Sequence, residues 1–101
     1  MPVDPQFIPM LEMFEGGPPM SEIPIPLLRM PRPKPEGFQP TPVAQVIDRT
    51  IPGPDGDIKI RIYRPHAEGI FPIVLFMHGG GFILGDLDSH DEVGRTLTMK
   101  A

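Results

Sequence analysis

The chain has no cysteine and no tryptophan among its 101 residues. Without cysteine it can build neither a disulfide framework nor a thiolate metal site. It also lacks a basic block. Nine basic residues against thirteen acidic ones leave a net charge of −4, which argues against nucleic acid as a partner. No run approaches the ~18 apolar residues needed to span a membrane. The start, "MPVDPQFIPM", has neither the basic n-region nor the continuous apolar h-region of a signal peptide. The expectation is a soluble, cytoplasmic protein of one small domain.

Proline is plentiful. Fourteen of the sixteen lie in the first 54 residues. This divides the chain into a proline-rich arm, residues 1–42, and a more regular part, residues 43–101. In the arm, Asp4 can cap a helix with Pro5 in its first turn. Phe7, Met10, Leu11 and Phe14 then fall on one stripe at helical spacing, and Gly16, Gly17, Pro18 and Pro19 end it. Pro9 is expected to kink that helix or delay its start. The next stretch, "SEIPIPLLRMPRPKPEGFQPTP", should be extended, with at most one helical turn around Leu27 to Met30. A proline-rich adaptor ligand is the sharper reading, but the only P-x-x-P spacing, Pro2 to Pro5, lies outside this stretch. A linker or surface-hugging arm fits better.

From Val43 the pattern changes. Val43 to Ile51 is rich in β-formers, "PGPDGD" is a turn cluster centred on Asp55-Gly56, and Ile58, Ile60 and Ile62 alternate with Lys59, Arg61 and Tyr63. That predicts an antiparallel hairpin with the isoleucine face buried and the other face wet. Ile73 to Phe76 is apolar without alternation, as in a strand buried on both faces of a covered α/β sheet. Three glycines follow it. Beyond them Ser89-x-x-Glu92 has capping-box spacing, so a helix should start near His90 or Asp91, weakened by Gly94.

Glycine lets the backbone turn sharply and lets another molecule approach its amides closely. A glycine run between a buried strand and a helix is therefore a candidate anion site, and three chemistries compete for it. A phosphate loop needs a lysine soon after the glycines, and none follows until Lys100. The dinucleotide fingerprint fails because its third glycine position falls on Leu84. Metal binding would draw on Asp86, Asp88, His90, Asp91 and Glu92. A calcium loop from Asp86 would need glycine where Asp91 stands and glutamate where Leu97 stands. His66, His78 and His90 follow no zinc spacing. The acids read as a solvated loop and a helix N-terminus. The third chemistry is an oxyanion hole. Backbone N–H groups fixed at the developing oxyanion of acyl transfer contribute roughly 3 kcal/mol each, and the HGGG type of lipases and esterases follows a strand as "HGGGF" does here.

At this point the chain resembles a known family. "DPQF…GGPPMSE", "VIDRTIPGPDGDIKIRIYRP" and "FPIVLFMHGGGFILGDLDSHDEVGRTL" are similar to the N-terminal part of bacterial hormone-sensitive-lipase-like carboxylesterases of the α/β-hydrolase superfamily. The resemblance implies an α/β fold, an incomplete α/β-hydrolase. Its parts would be an N-terminal cap segment, an antiparallel strand pair, a third strand with the HGGG loop, and the start of the first helix. Carried over by position, Gly80 and Gly81 would offer the oxyanion N–H groups. Gly79 would supply the bend, His78 would be structural rather than catalytic, and Phe82 would support the loop or line the acyl pocket. The arm would cover the substrate entrance. No metal or organic cofactor is implied. A small acyl ester is the implied substrate of the completed protein, and the resemblance leaves room for a homo-oligomer of it.

The catalytic residues themselves are missing. The family's G-x-S-x-G elbow is not in these 101 residues, and the two serines, Ser21 and Ser89, sit on no elbow. Ser89 reads as a helix cap. The expectation is therefore an inactive, truncated piece of an ester hydrolase. The alternative is a non-catalytic short form that binds acyl ligands or pairs with a full-length relative.

Overall fold

A computed structural model describes residues 2–101. Met1, the first residue of the arm, lies outside the described residues.

The first ordered turn opens at Asp4, whose Oδ1 accepts the Gln6 N–H at 3.0 Å. Pro5, at the first turn where its missing N–H costs nothing, leads a 3-10 turn, Pro5–Phe7. This runs into helix α1, Ile8–Glu12. Pro9 thus delays the regular helix rather than breaking it. Gly16, at φ 77°, takes the chain out of the helical path. A second 3-10 turn, Met20–Glu22, precedes helix α2, Ile25–Leu28. That is two residues ahead of the expected turn, because Pro26 occupies a tolerated first-turn position.

Strands β1, Gln45–Gly53, and β2, Gly56–Arg64, form one antiparallel pair. The two-residue turn is Pro54-Asp55, flanked by the paired Gly53 and Gly56, one residue earlier than expected. Pro54 and Asp55 keep negative φ, and Gly56 takes φ 133°, so the residue free of a Cβ carries the reversal. Pro52 donates no ladder bond, which an edge position tolerates.

The register sets two faces. Ile47 opposes Ile62 and Ile51 opposes Ile58, giving an isoleucine face. Asp48 opposes Arg61 and Val46 opposes Tyr63 on the other. Helix α3, Asp91–Lys100, packs on this second face, the one expected to be wet. Alternation correctly separates the apolar face from the polar one. It does not say which is covered. Ile51 and Ile58 stay 40% and 47% exposed, because no apolar layer is present to meet them.

The start of α3 at Asp91 matches the expectation, but Ser89 does not cap it. His90 is the N-cap residue and offers no side-chain cap. Ser89 instead closes the preceding turn. Its N–H donates to Asp86 Oδ1 at 2.7 Å, and its Oγ accepts the Asp86 N–H at 2.9 Å. Glu92 does not reach back to Ser89 either. It accepts from the Thr41 N–H and hydroxyl, and Arg95 donates to the Thr41 carbonyl at 3.2 Å. The end of the proline-rich arm is thereby tied to α3.

The segment expected as a buried third strand forms no strand. Ile73, Val74, Leu75, Phe76 and Met77 are 95%, 63%, 81%, 47% and 80% exposed. A strand needs a partner ladder, and the hairpin does not supply one. No described residue is fully buried. The accessible surface is 9190 Å², against about 5,700 Å² for a compact monomer of this mass. The radius of gyration is 17.4 Å, against about 13 Å for a compact domain of this length. The folded unit is the hairpin with α3, and the remaining segments lie around it without a shared core.

Candidate functional site

The glycine loop is held at three points. His78 Nδ1 lies 2.8 Å from the Gly79 carbonyl. A carbonyl can only accept, so Nδ1 carries the proton. The Gly80 carbonyl accepts from the N–H groups of Ile83 and Leu84, at 3.1 and 2.9 Å. Arg29, at the end of α2, donates its Nε–H to the Ile83 carbonyl at 2.6 Å, so the arm touches the loop. His78 also stacks on His90, with ring centroids 4.9 Å apart.

Gly80 is required by geometry. Its φ is 137°, and a Cβ there would fall 1.9 Å from the Leu84 carbonyl oxygen. Gly81 follows at φ 60° and Phe82 at φ 62°. A bulky residue in the left-handed region stores about 1–2 kcal/mol. Phe82 is fully exposed. Among the described residues, the Gly80 and Gly81 N–H groups have no intrachain acceptor. Successive free amides beside left-handed residues form a concavity suited to an anion. Both glycines are exposed.

An open cleft of about 700 Å³ has His78 in its wall but not Gly80 or Gly81. Asp48, Arg61, Phe76, His78, Asp86 and Asp88 are among its walls. Its electrostatics belong to a network that ties the hairpin to α3. Arg61, with its side chain only 14% exposed, pairs with Asp48 at 2.7 Å, Asp88 at 2.9 Å and Asp91 at 3.1 Å. Tyr63 donates its hydroxyl to Asp91 at 2.7 Å, and Arg95 pairs with the same carboxylate at 2.7 Å. Hydrogen bonding to Asp48 raises the Arg61 pKa above its already high value against the cost of burial, and Asp88 adds to this. Burial pushes the Asp91 carboxyl up. The bonds from Tyr63, Arg95 and Arg61 and the charge of Arg95 outweigh that and hold it below the usual carboxylate range. Burial, then the neighbouring Asp91, push the Tyr63 phenol up to about 12. In the sequence this network shows only as the charged row of β2 and the Asp91–Arg95 spacing of one helical turn, both of which look like surface features.

The two serines offer no assembled nucleophile. Ser89 Oγ lies 2.9 Å from His90 Nδ1, so the adjacent pair does meet. The acid beside it, Asp86, bonds the serine backbone rather than orienting the imidazole. A working triad needs that third contact. Among the described residues no cluster of three or more metal-ligating side chains forms. Among the described residues no helix is long and apolar enough to cross a membrane.

Comparison with known proteins finds no matching protein-family model and no matching solved structure. Curated proteins do match. The chain is 54% identical over 50 residues to a carboxylic ester hydrolase, LipN, of Mycobacterium tuberculosis, covering 50% of this chain and 13% of that protein. It is 49% identical over 53 residues to the esterase LipI of the same organism, covering 50% and 17%. An acetyl esterase of Salmonella schwarzengrund is 47% identical over 47 residues, covering 46% and 14%. The matched stretch is less than a fifth of the length of each relative. Over about half its length, this chain carries the resemblance to bacterial carboxylesterases of the hormone-sensitive-lipase-like kind.

Proposed function

We propose that residues 43–101 are a piece of a carboxylic ester hydrolase in which the Gly80 and Gly81 N–H groups hold the oxyanion of an acyl-transfer intermediate. The 54% identity over 50 residues to a carboxylic ester hydrolase carries this reading. The two free, left-handed glycine amides support it. His78 and Gly79 shape the loop, with the His78 ring bonding the Gly79 carbonyl. Residues 1–42 form an arm over the substrate side, which the Arg29–Ile83 bond supports. Phe82, exposed here, would line the acyl pocket only where further chain supplies its other walls. The substrate class is a small acyl ester. No triad is present in these residues, so the 101-residue chain alone does not turn over esters. An oxyanion hole without a nucleophile gives little acceleration by itself.

The test is a chimera. Residues 45–100 replace the matching stretch of the Salmonella acetyl esterase, and hydrolysis of a chromogenic acetyl ester is followed. The chimera should be active. Gly80→Ala in it should lower kcat by about 10²–10³-fold, the loss of one oxyanion donor, because alanine cannot hold the φ of Gly80. An active chimera indifferent to Gly80→Ala would refute the assignment. The competing reading, a non-catalytic short form that binds acyl ligands or pairs with a full-length relative, predicts that the 101-residue chain inhibits the intact esterase at sub-stoichiometric ratios.

A further inference from the structure

Arg61 uses every donor it has. A guanidinium carries five N–H groups in a rigid planar fork, and the structure gives Arg61 five contacts. Nε and Nη2 bind the two oxygens of Asp48 on β1, at 2.7 and 3.1 Å. Nη2 also reaches Asp88 at 2.9 Å, and Nη1 divides between the Leu87 carbonyl at 3.3 Å and Asp91 at 3.1 Å. Two of these acceptors, the Leu87 carbonyl and Asp88, lie on the chain between the glycine loop and α3. Two closed turns connect that chain to the glycines. In the first, the Gly80 carbonyl accepts from Ile83 and Leu84. In the second, Asp86 and Ser89 each donate a backbone N–H to the other's side chain. Gly85 joins the turns, and it sits so close to the loop's start that a Cβ on it would lie 2.8 Å from His78 Nδ1 and 2.9 Å from the Gly79 carbonyl.

We infer that Arg61 is a positioning residue for the Gly80 and Gly81 amides: its fork, held on β1 by Asp48, clasps residues 87 and 88 and through the two turns fixes where those amides point. The inference rests on the reading of these amides as oxyanion donors and adds what holds them. Both ends of the loop lead back to the same guanidinium. At the start, His78 bonds the Gly79 carbonyl and stacks on His90, whose neighbour Asp91 Arg61 also holds. At the end, Arg61 holds Leu87 and Asp88 directly. The geometry calls for arginine. Lysine keeps the charge but presents three donors from one point, and it cannot hold β1, the Leu87 carbonyl, Asp88 and Asp91 together. Oxyanion donors are effective because they are fixed before the charge develops. A loosened loop therefore slows the chemical step and leaves ground-state binding in place, so kcat falls while KM changes little.

Nitrogen-15 relaxation of the 101-residue chain tests the clasp with no appeal to catalysis. The Gly80 and Gly81 amides should be ordered in the unaltered chain and should fall below an order parameter of about 0.6 in Arg61→Lys. Arg95→Lys is the control. It weakens the hold on Asp91 from the α3 side without touching Leu87 or Asp88, so it should leave both amides ordered. If Arg61→Lys undocks α3, seen as loss of the near-ultraviolet signal of Tyr63, then Asp88→Asn decides. It removes a loop-side acceptor and leaves Arg61 on Asp48 and Asp91, and the same two amides should loosen with the Tyr63 signal intact. In the chimera with the acetyl esterase, Arg61→Lys should lower kcat by about ten- to a hundredfold with KM little changed, and Arg95→Lys should alter neither. Amides already mobile in the unaltered chain, equal loosening in Arg61→Lys and Arg95→Lys, or no loosening in Asp88→Asn would each overturn the inference. A chimera crippled by Gly80→Ala but tolerant of Arg61→Lys overturns the positioning role alone. An active chimera indifferent to Gly80→Ala overturns the donor reading, and the positioning role with it.

Discussion

Gly94→Ala tests the contact that holds α3 to the hairpin. A Cβ on residue 94 would lie 2.5 Å from Tyr63 Cε2, 2.7 Å from Cζ and 3.1 Å from the hydroxyl. Ordinary contact begins near 3.4 Å, so ring and helix must separate by about 0.9 Å. The ring cannot yield freely, because its hydroxyl is bonded to Asp91, on the same helix, at 2.7 Å. The same movement stretches that bond to about 3.6 Å, beyond hydrogen-bonding range. If the ring stays, overpacking costs about 1–3 kcal/mol. If it moves, a bond to a charged group is lost, of similar size. Against this, alanine gains about 1 kcal/mol of helix propensity over glycine. The net is about 0–2 kcal/mol against docking, a shift of up to roughly thirty-fold in the docked fraction. The assay is specific because Tyr63 is the sole tyrosine and there is no tryptophan. Its near-ultraviolet circular dichroism should weaken in Gly94→Ala. Its phenol ionisation should fall from about 12 toward the ordinary value. Val93→Ala, an exposed position on the same helix, should change neither. If Gly94→Ala leaves both signals intact while far-ultraviolet helix content rises, the ring does not seat on residue 94 and the packing argument is wrong.

The same tyrosine signal reports two further effects. Asp91 has a lowered folded pKa, so its contribution is present above the unfolded carboxylate value and is lost as pH falls through the folded one. Tyr63 has a raised pKa, so its contribution is present below the unfolded phenol value and is lost as pH climbs toward about 12. Docking should therefore be level between about pH 5 and pH 9 and fade at both ends; a steady slope through neutrality would contradict the assignment of Asp91 and Tyr63. Arg61→Met removes the cation facing three carboxylates. Asp48 and Asp88, 62% and 84% exposed, are screened by solvent and add little, while the bond to the more buried Asp91 contributes about 1.5–3 kcal/mol. The urea midpoint of the Tyr63 signal should drop by more than it does in Arg49→Met, which removes a charge from the isoleucine face; equal shifts would mean that the network contributes nothing.

What could be read in advance depended on how local its cause was. The first turn, the hairpin and the start of α3 follow from neighbours in sequence. Asp4 caps the second residue after it, alternating isoleucines pair across a two-residue turn, and acids gather where the helix N-terminus favours them. Gly80 is legible as a position that excludes a side chain, because three consecutive glycines after an apolar run suit a backbone that turns where a Cβ could not follow. The turn falls one residue before its strongest signal, Asp55-Gly56, because Pro54 fixes the φ of the first turn position and hands the positive φ to Gly56. In the sequence Gly94 is a weakness in α3. Its role is visible only once the Tyr63 ring is seen against it. No periodicity along one helix reports a ring arriving from a strand about thirty residues earlier.

The clearest departure, the strip from Ile73 to Phe76, has the same root. A run of apolar β-formers states that the segment is stable when covered. It does not supply the cover. The hairpin uses its Asp48–Arg61–Tyr63 face for α3, through ion pairs and one aromatic contact, and these need no apolar layer. The isoleucine face and the Ile73–Met77 strip are both apolar and both unmatched by anything in residues 2–101. Hydrophobic free energy scales with the area removed from water, and an accessible surface some 3,500 Å² above that of a compact chain of this mass leaves much of that free energy unrealised. Whatever covers the strip gains its stabilisation there. The glycine loop lies directly after the strip, with His78 adjoining Met77. Fixing the strip therefore fixes one end of the loop, and the orientation of the Gly80 and Gly81 amides becomes a consequence of what pairs with the strand before them.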